Sequence, residues 1–219
     1  MKKSFNQYPS EKEVYDIINY NEDYLTYFIQ QWVSEGIPFA FKDDPFLFEE
    51  FRTKLANRLM ISPKEITMIG SARVGYSLSP PPKYGKSFNP KSDLDLSIIS
   101  KYLFERCETE NNIWKREYKE GKVNPRNLNE KKYWEENIHN NNNQINRGFI
   151  DSHKVPNIYT TFSLLNNSIW FVTKYLNENN NYLEFKNISI RVYKDWNCFL
   201  NQQKLNLKLL RDKLLSKKA

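Results

Sequence analysis

Residues 66–77 read ITMIGSARVGYS, and residues 92–99 read SDLDLSII. The first stretch opens with a short apolar run that a glycine halts, which predicts a buried strand followed by a tight turn. The second stretch alternates acidic and apolar residues, so it predicts a strand with one buried face. These two strands decide the fold class, because most of the remaining chain has helical spacing.

Helical patterns surround the two strands. Ser10 and Glu13 form a capping-box pattern, which predicts a helix that begins at Glu11 and runs to Gly36. A second helix is expected to begin at Asp44-Pro45, where the proline suits a first helical position. A hairpin is predicted over residues 181–196, with its first strand at 182–185. Further helices are predicted over residues 102–118, 129–146, 158–176 and 196–217.

The resulting class is α+β, with a small mixed sheet surrounded by helices. The length of 219 residues suits a single domain over residues 1–219. Within it we expect a helical segment over residues 1–60, a core over 61–196 and an amphipathic helix over 197–219.

Composition narrows the classes of partner. The net charge of +7 and the pI near 9.2 favour polyanions such as nucleotides or RNA. No apolar run approaches the roughly 18–20 residues of a membrane span. Cys107 and Cys198 lack metal-ligand spacing, and no apolar leader follows Met1. We therefore expect a cytoplasmic protein with reduced thiols and no membrane partner.

The turn after the first strand has the chemistry of a phosphate site. Glycine at position 70 lets backbone approach a ligand closely, and amides at a helix start favour anions. The Ser71 hydroxyl adds a further donor. Taken alone, a Gly-Ser pair after a strand is also typical of an ordinary turn.

The acidic strand has the chemistry of a metal site. Residues two apart on a strand project to one face, so Asp93 and Asp95 point the same way. Magnesium commonly takes one or two carboxylates together with substrate phosphates. The alternative for an isolated pair is a surface strand with solvated acids.

Together, the two stretches resemble the signature of the DNA-polymerase-β nucleotidyltransferase superfamily, and especially its small bacterial members. The resemblance covers about Ile66 to Ile99. It implies the family's small mixed sheet and an ATP-binding or other NTP-binding transferase that requires Mg²⁺, with a two-ion site as one option. In such enzymes the turn holds the β- and γ-phosphates of the triphosphate, and the two aspartates hold magnesium. The nucleotide-binding residues implied are Gly70 and Ser71 and, more loosely, Gly75 and Ser77; the metal-binding residues implied are Asp93 and Asp95.

Two cations lie near this signature. Arg73 follows the turn directly, and Lys86 lies in the proline-bearing loop over residues 79–90, which is longer than the family usually shows. Both are candidate phosphate contacts. The alternatives are an ordinary salt bridge for Arg73 and a solvated surface loop for Lys86.

The family often adds a third carboxylate on a later strand. In residues 188–192, ISIRV, an arginine, Arg191, stands about where that acid is expected. Glu184, on the preceding predicted strand, is the substitute we favour as the third catalytic acid. Asp151 and Asp195 are further candidates.

The function that the resemblance implies is magnesium-dependent transfer of a nucleotidyl group from an NTP to an acceptor hydroxyl. The acceptor is left open among RNA or tRNA, a protein and a small molecule. At the level of the family, it also implies a place in toxin–antitoxin or phage-defence systems. The alternative is a non-catalytic regulator that binds nucleotide or RNA on a degenerate fold, which Arg191 at the third-acid position favours.

Overall fold

A four-stranded mixed sheet forms the centre of the protein. The computed structural model describes residues 7–89, 91–179 and 187–216. The strands are β1 (Ile66–Ile69), β2 (Leu94–Ile99), β3 (Phe149–Asp151) and β4 (Ile188–Tyr193), in the order β1-β2-β4-β3. β1 is antiparallel to β2, β2 is parallel to β4, and β3 is antiparallel to β4. The predicted α+β class with a small mixed sheet is confirmed at this level.

Helices make up most of the remaining described chain. They are α1 (Glu11–Ile18), α2 (Glu22–Phe28), α3 (Pro45–Leu59), α4 (Ser71–Val74), α5 (Lys101–Lys119), α6 (Leu128–Asn146), α7 (Thr160–Asn179) and α8 (Trp196–Leu215). Five of these helices, α1, α2, α3, α6 and α8, begin at a residue whose side chain caps the helix. Ser10 and Glu13 form the predicted capping box of α1, and Asp44 accepts a hydrogen bond from the Leu47 amide at the start of α3.

The N-terminal run to Gly36 is not the single helix that its spacing predicts. α1 ends at Ile18, and Asn21 accepts a hydrogen bond from the Tyr24 amide to start α2. A turn of π-helix over Ile29–Val33 follows α2. An asparagine side chain can cap a new helix within a few residues of the previous one. The apolar residues therefore keep nearly helical spacing across the break.

The two faces of the sheet contact different layers. Alternate residues of β2 and β4 pack into a large core with α3, α5 and α7: Leu94, Leu96, Ile98, Ile188, Ile190 and Val192. The opposite face carries Ile99, Tyr193 and Phe149 into a second core with α1, α2 and α8. Asp95 and Arg191 lie on this second face, so their side chains lie between the sheet and α8.

The predicted hairpin over residues 181–196 is described only in its second strand, β4. β4 lies next to β2 and parallel to it, so a long crossover through α5, α6, β3 and α7 connects them. The expected first strand of the hairpin, residues 182–185, lies outside the described residues. On its other side β4 pairs with β3, whose three residues are too short to show a period.

Among the described residues, no helix combines the length and the apolar character that crossing a bilayer requires.

Candidate functional site

The glycine turn lies at the end of β1. Gly70 has φ +71° and ψ −153°, a conformation that only glycine adopts readily, and it caps α4. Its carbonyl accepts from the amides of Arg73 and Val74. The amides of Ser71 and Ala72 belong to the start of the helix, where no preceding turn supplies a carbonyl. The turn therefore has the backbone chemistry expected of an anion site.

Pairing of β1 with β2 places Asp95, one of the two predicted metal ligands, beside this turn. Ile69 is the register partner of Asp95, so Gly70 follows directly beside that carboxylate. A Cβ atom added to Gly70 would lie 3.0 Å from Asp95 Oδ2. The glycine thus permits a close approach between the predicted phosphate turn and the predicted metal ligand.

β4 holds both aspartates through neutral donors. The Ser189 hydroxyl donates to Asp95 Oδ1 at 2.7 Å, and the Asn187 amide donates to Asp93 Oδ1 at 3.0 Å. Asp95 is half-buried, whereas Asp93 is exposed and precedes β2 by one residue. Neither carboxylate has a cation partner among the described ion pairs. Each therefore has acceptor capacity left for a ligand.

Of the two carboxylates, that of Asp95 lines a pocket and that of Asp93 does not. Carboxylates are ligands that suit a magnesium ion that also binds substrate phosphate. Such an ion needs only one or two protein carboxylates, since phosphates and water complete its coordination. Within residues 7–89, 91–179 and 187–216, no group of three or more His, Cys, Asp or Glu side chains is placed to hold a metal without such help.

A pocket of about 420 Å³ opens beside these groups. Its floor includes Asp95 and Arg191 of the sheet, and Gly70 and Ser71 lie at one end. Residues 77–80 of the following loop form another wall. On the far side, α8 contributes Gln203, Asn206, Leu207 and Leu209. The pocket therefore brings Gly70, Ser71, Ser77 and Asp95 of the predicted site together.

Gly75 and Arg73 have different surroundings from those predicted. Gly75 ends α4 with φ +96°, and a Cβ there would meet the Phe39 ring at 2.9 Å. Arg73 is 3% exposed, and its guanidinium donates to the backbone carbonyls of Ile37 (3.0 Å) and Glu35. Neither residue lines the pocket. The geometry gives both a packing role beneath the turn, so the predicted phosphate contact by Arg73 needs correction.

Lys86 also lies away from the pocket lining. It is exposed, and its carbonyl accepts from the Ser77 amide at 2.9 Å, close to an isolated bridge between Tyr76 and Ser87. The Lys86 backbone therefore helps to hold Ser77 at the pocket wall, while its side chain has the solvated setting of the alternative interpretation.

Where a third carboxylate was expected on β4, the chain has Arg191, which pairs with Asp151 of β3. Arg191 is the register partner of Ser97 on β2, two residues beyond Ser189. Its Nε and Nη2 atoms donate to the two carboxylate oxygens of Asp151, at 2.6 Å and 3.2 Å. Burial raises the pKa of the Asp151 carboxyl, but the hydrogen bonds and charge of Arg191, with Lys154, outweigh it and hold the pKa below its usual value. Asp151 is thus an occupied counter-ion.

Asp195, another of the candidate acids, does not fill the position either. Asp195 accepts a hydrogen bond from the Cys198 amide and caps α8. Glu184, the favoured third acid, lies outside the described residues.

The pocket wall on α8 was not predicted as part of the site. The expected apolar stripe of α8 contains Leu200, Leu207, Leu210 and Leu214. Gln203 falls on that same stripe between Leu200 and Leu207, and it is buried, with its amide 3.4 Å from the Tyr193 hydroxyl. A glutamine at a core position of an amphipathic helix is the signal that could have identified this wall.

Comparison with known proteins identifies no relative. No protein-family model matches the chain, and neither the curated proteins nor the solved structures contain a significant match.

Proposed function

We propose that this protein transfers a nucleotidyl group from a nucleoside triphosphate to an acceptor hydroxyl in the presence of magnesium. The observation that carries the proposal is the 3.0 Å approach of the Gly70 position to Asp95 Oδ2. A phosphate-binding turn and a free carboxylate at one pocket are the two elements that phosphoryl chemistry needs most, since it relies on positioning and charge neutralisation.

The chain's own groups divide the work in this proposal. Backbone amides at the start of α4 and the Ser71 hydroxyl bind the triphosphate tail. Asp93 and Asp95 hold the ion, with Asn187 and Ser189 orienting one oxygen of each. When bound, magnesium supplies charge neutralisation on the phosphate oxygens. The acceptor oxygen bonds to the α-phosphorus, the bond from that phosphorus to the β-phosphate bridging oxygen breaks, pyrophosphate leaves, and the hydroxyl proton passes to solvent.

RNA is the acceptor class that the charge distribution favours. A surface groove of about 610 Å³ on the opposite side of α8 is lined by Arg147, Lys204 and Lys208. One carboxylate, Glu22, lies among these cations and pairs with Lys208 at 2.5 Å. A basic groove that shares a helix with the nucleotide pocket suits a phosphate backbone.

Labelled triphosphates provide the test. The protein is incubated with each α-labelled NTP, magnesium and total RNA, and then with cell lysate, and label transfer is measured. We expect transfer by the wild type and none by Asp93→Asn with Asp95→Asn. The control pair Asp16→Asn with Asp43→Asn makes the same charge change at two exposed positions and should leave transfer intact. Full transfer by the Asp93/Asp95 variant contradicts the proposal.

The alternative function is a regulator that binds nucleotide without transferring it. The observation that favours it is the ion pair of Arg191 with Asp151 at the third-acid position. Tight triphosphate binding without label transfer to any acceptor would select this alternative.

A further inference from the structure

Arg191 is a cation built into the candidate nucleotide pocket. It lines the pocket together with Gly70, Ser71 and Asp95, and its side chain is 30% exposed. On β4 it lies two residues beyond Ser189, the donor to Asp95, which is roughly 6.6 Å along a strand. The guanidinium therefore belongs to the same face and the same cavity as the proposed metal ligand.

Asp151 and Phe149 of β3 hold the Arg191 guanidinium in place. Nε and Nη2 contact both oxygens of Asp151, and the Phe149 ring lies 4.6 Å from the guanidinium carbon. This paired contact sets the plane of the group. Nη1 makes no contact with Asp151, and the Tyr193 side chain is a further hydrogen-bond partner of the guanidinium. A preoriented guanidinium loses less conformational entropy when it binds a further anion.

The positive charge of the cluster exceeds its negative charge. Lys154 Nζ also contacts Asp151, at 3.3 Å from Oδ2, so two cations share one carboxylate. The cluster therefore retains about one net positive charge beside the pocket.

We propose that Arg191 binds the phosphates of the nucleotide and supplies the positive charge that a second metal ion would otherwise supply. The proposal rests on the nucleotidyl-transfer function above and names how its substrate is held. A guanidinium has no acceptor lone pair and cannot be a metal ligand, but its fork of donors matches phosphate oxygens. Asp93 and Asp95 then hold a single divalent ion per chain.

Metal-free binding tests the contact. Inorganic triphosphate is titrated into the protein by calorimetry in EDTA, where only protein groups hold the anion. Asp151→Asn with Arg191→Gln removes both charges of the pair while keeping hydrogen-bonding side chains. We expect it to weaken binding about 10- to 100-fold, as the loss of a charge-assisted hydrogen bond does. The control Arg126→Gln with Glu130→Gln neutralises an ion pair near the start of α6, outside the pocket, and should leave affinity unchanged.

Arg191→Lys provides a second variant in case the double variant does not fold. It keeps the charge but loses the planar fork, so we expect triphosphate affinity roughly threefold to tenfold below wild type. Affinity within twofold of wild type in the folded double variant, or in Arg191→Lys if the double variant is unfolded, overturns the proposal.

Counting ions tests the stoichiometry. Mn²⁺ bound per chain is measured by electron paramagnetic resonance with a non-hydrolysable triphosphate present. One ion per chain is expected, and two overturn the proposal. The results also separate the two hypotheses. If the double variant loses metal-free triphosphate affinity but the wild type transfers no label, the Arg191 contact is supported and the transferase function is contradicted. If the double variant transfers label as well as the wild type, the transferase function is supported and the role of Arg191 is contradicted.

Discussion

Asp95 and Asp151 are two carboxylates on one face of one sheet, and their surroundings differ. Asp95 is half-buried and held by a neutral hydroxyl, that of Ser189. Asp151 is 6% exposed and held by Arg191, Lys154 and Gln144. Only Asp95 lines the pocket.

The contrast shows that the hydrogen-bond partner of a carboxylate decides what the carboxylate can bind. Neutral donors orient a carboxylate without cancelling its charge, so Asp95 remains available to a cation. A guanidinium and an ammonium cancel the charge of Asp151 and occupy its oxygens, so it serves the fold. Two residues along β4, from Ser189 to Arg191, therefore separate a carboxylate with a neutral donor from a counter-ion.

The largest expected effect comes from breaking the occupied pair. Asp151→Ala leaves the charge of Arg191 partly buried and unpaired, so the free energy of unfolding should fall by about 3–5 kcal/mol. Asp95→Ala should cost about 0.5–1.5 kcal/mol, since it removes one hydrogen bond, from a neutral hydroxyl, at a half-buried position that solvent reaches. Urea denaturation at neutral pH measures both.

A double variant checks the reason for that loss. Asp151→Leu with Arg191→Met removes both charges, and it should be more stable than Asp151→Ala alone. Equal costs for Asp95→Ala and Asp151→Ala would show that the two acids do not differ in the way described.

The glycine turn should give a smaller effect on stability and a large one on binding. Gly70→Val places a β-branched side chain at φ +71°, which costs about 1–3 kcal/mol, and directs it toward Asp95 Oδ2. We expect triphosphate affinity to fall at least about tenfold, equivalent to about 1.4 kcal/mol, and more than nucleoside affinity.

Gly121 provides the matched control. It has the same φ of +71°, and a Cβ there meets no atom within 4 Å. Gly121→Val should lose stability without losing triphosphate affinity. Equal losses of nucleoside and triphosphate binding by Gly70→Val would point to misfolding or base recognition instead.

The smallest expected effect concerns the donor to Asp95. Ser189→Ala removes the 2.7 Å hydrogen bond, so unfolding should become easier by about 0.5–1.5 kcal/mol. Mg²⁺-dependent nucleotide affinity should fall only a few-fold, because the charge of Asp95 remains. Exposed Ser87→Ala serves as the control. A loss as large as that of Asp95→Asn would make Ser189 itself a ligand candidate.

Local signals predicted part of this arrangement. The glycine after β1, the alternation in β2 and the capping residues of α1 and α3 act over a few residues, so spacing alone identifies them. The pairing of Ile69 with Asp95 then follows from two adjacent strands.

Other parts depend on contacts between distant residues. Arg191 meets Asp151 across 40 positions, and Ser189 meets Asp95 across 94. No short-range period encodes such pairings, and β3 is too short to have one. The burial of Gln203 against β4 also depends on how α8 packs, which the helix's own apolar stripe does not determine.

The crossover between β2 and β4 has a consequence for the order in which the site forms. Asp95 and its donor Ser189 are separated by 94 residues. At about 5–20 residues per second, synthesis delivers Ser189 roughly 5–20 s after Asp95. During that interval a growing chain has its glycine turn and both aspartates, but β4 and α8 do not yet exist. A nascent or truncated chain thus has a carboxylate pair without the wall that shapes its pocket, and that wall arrives only with residues 188–215.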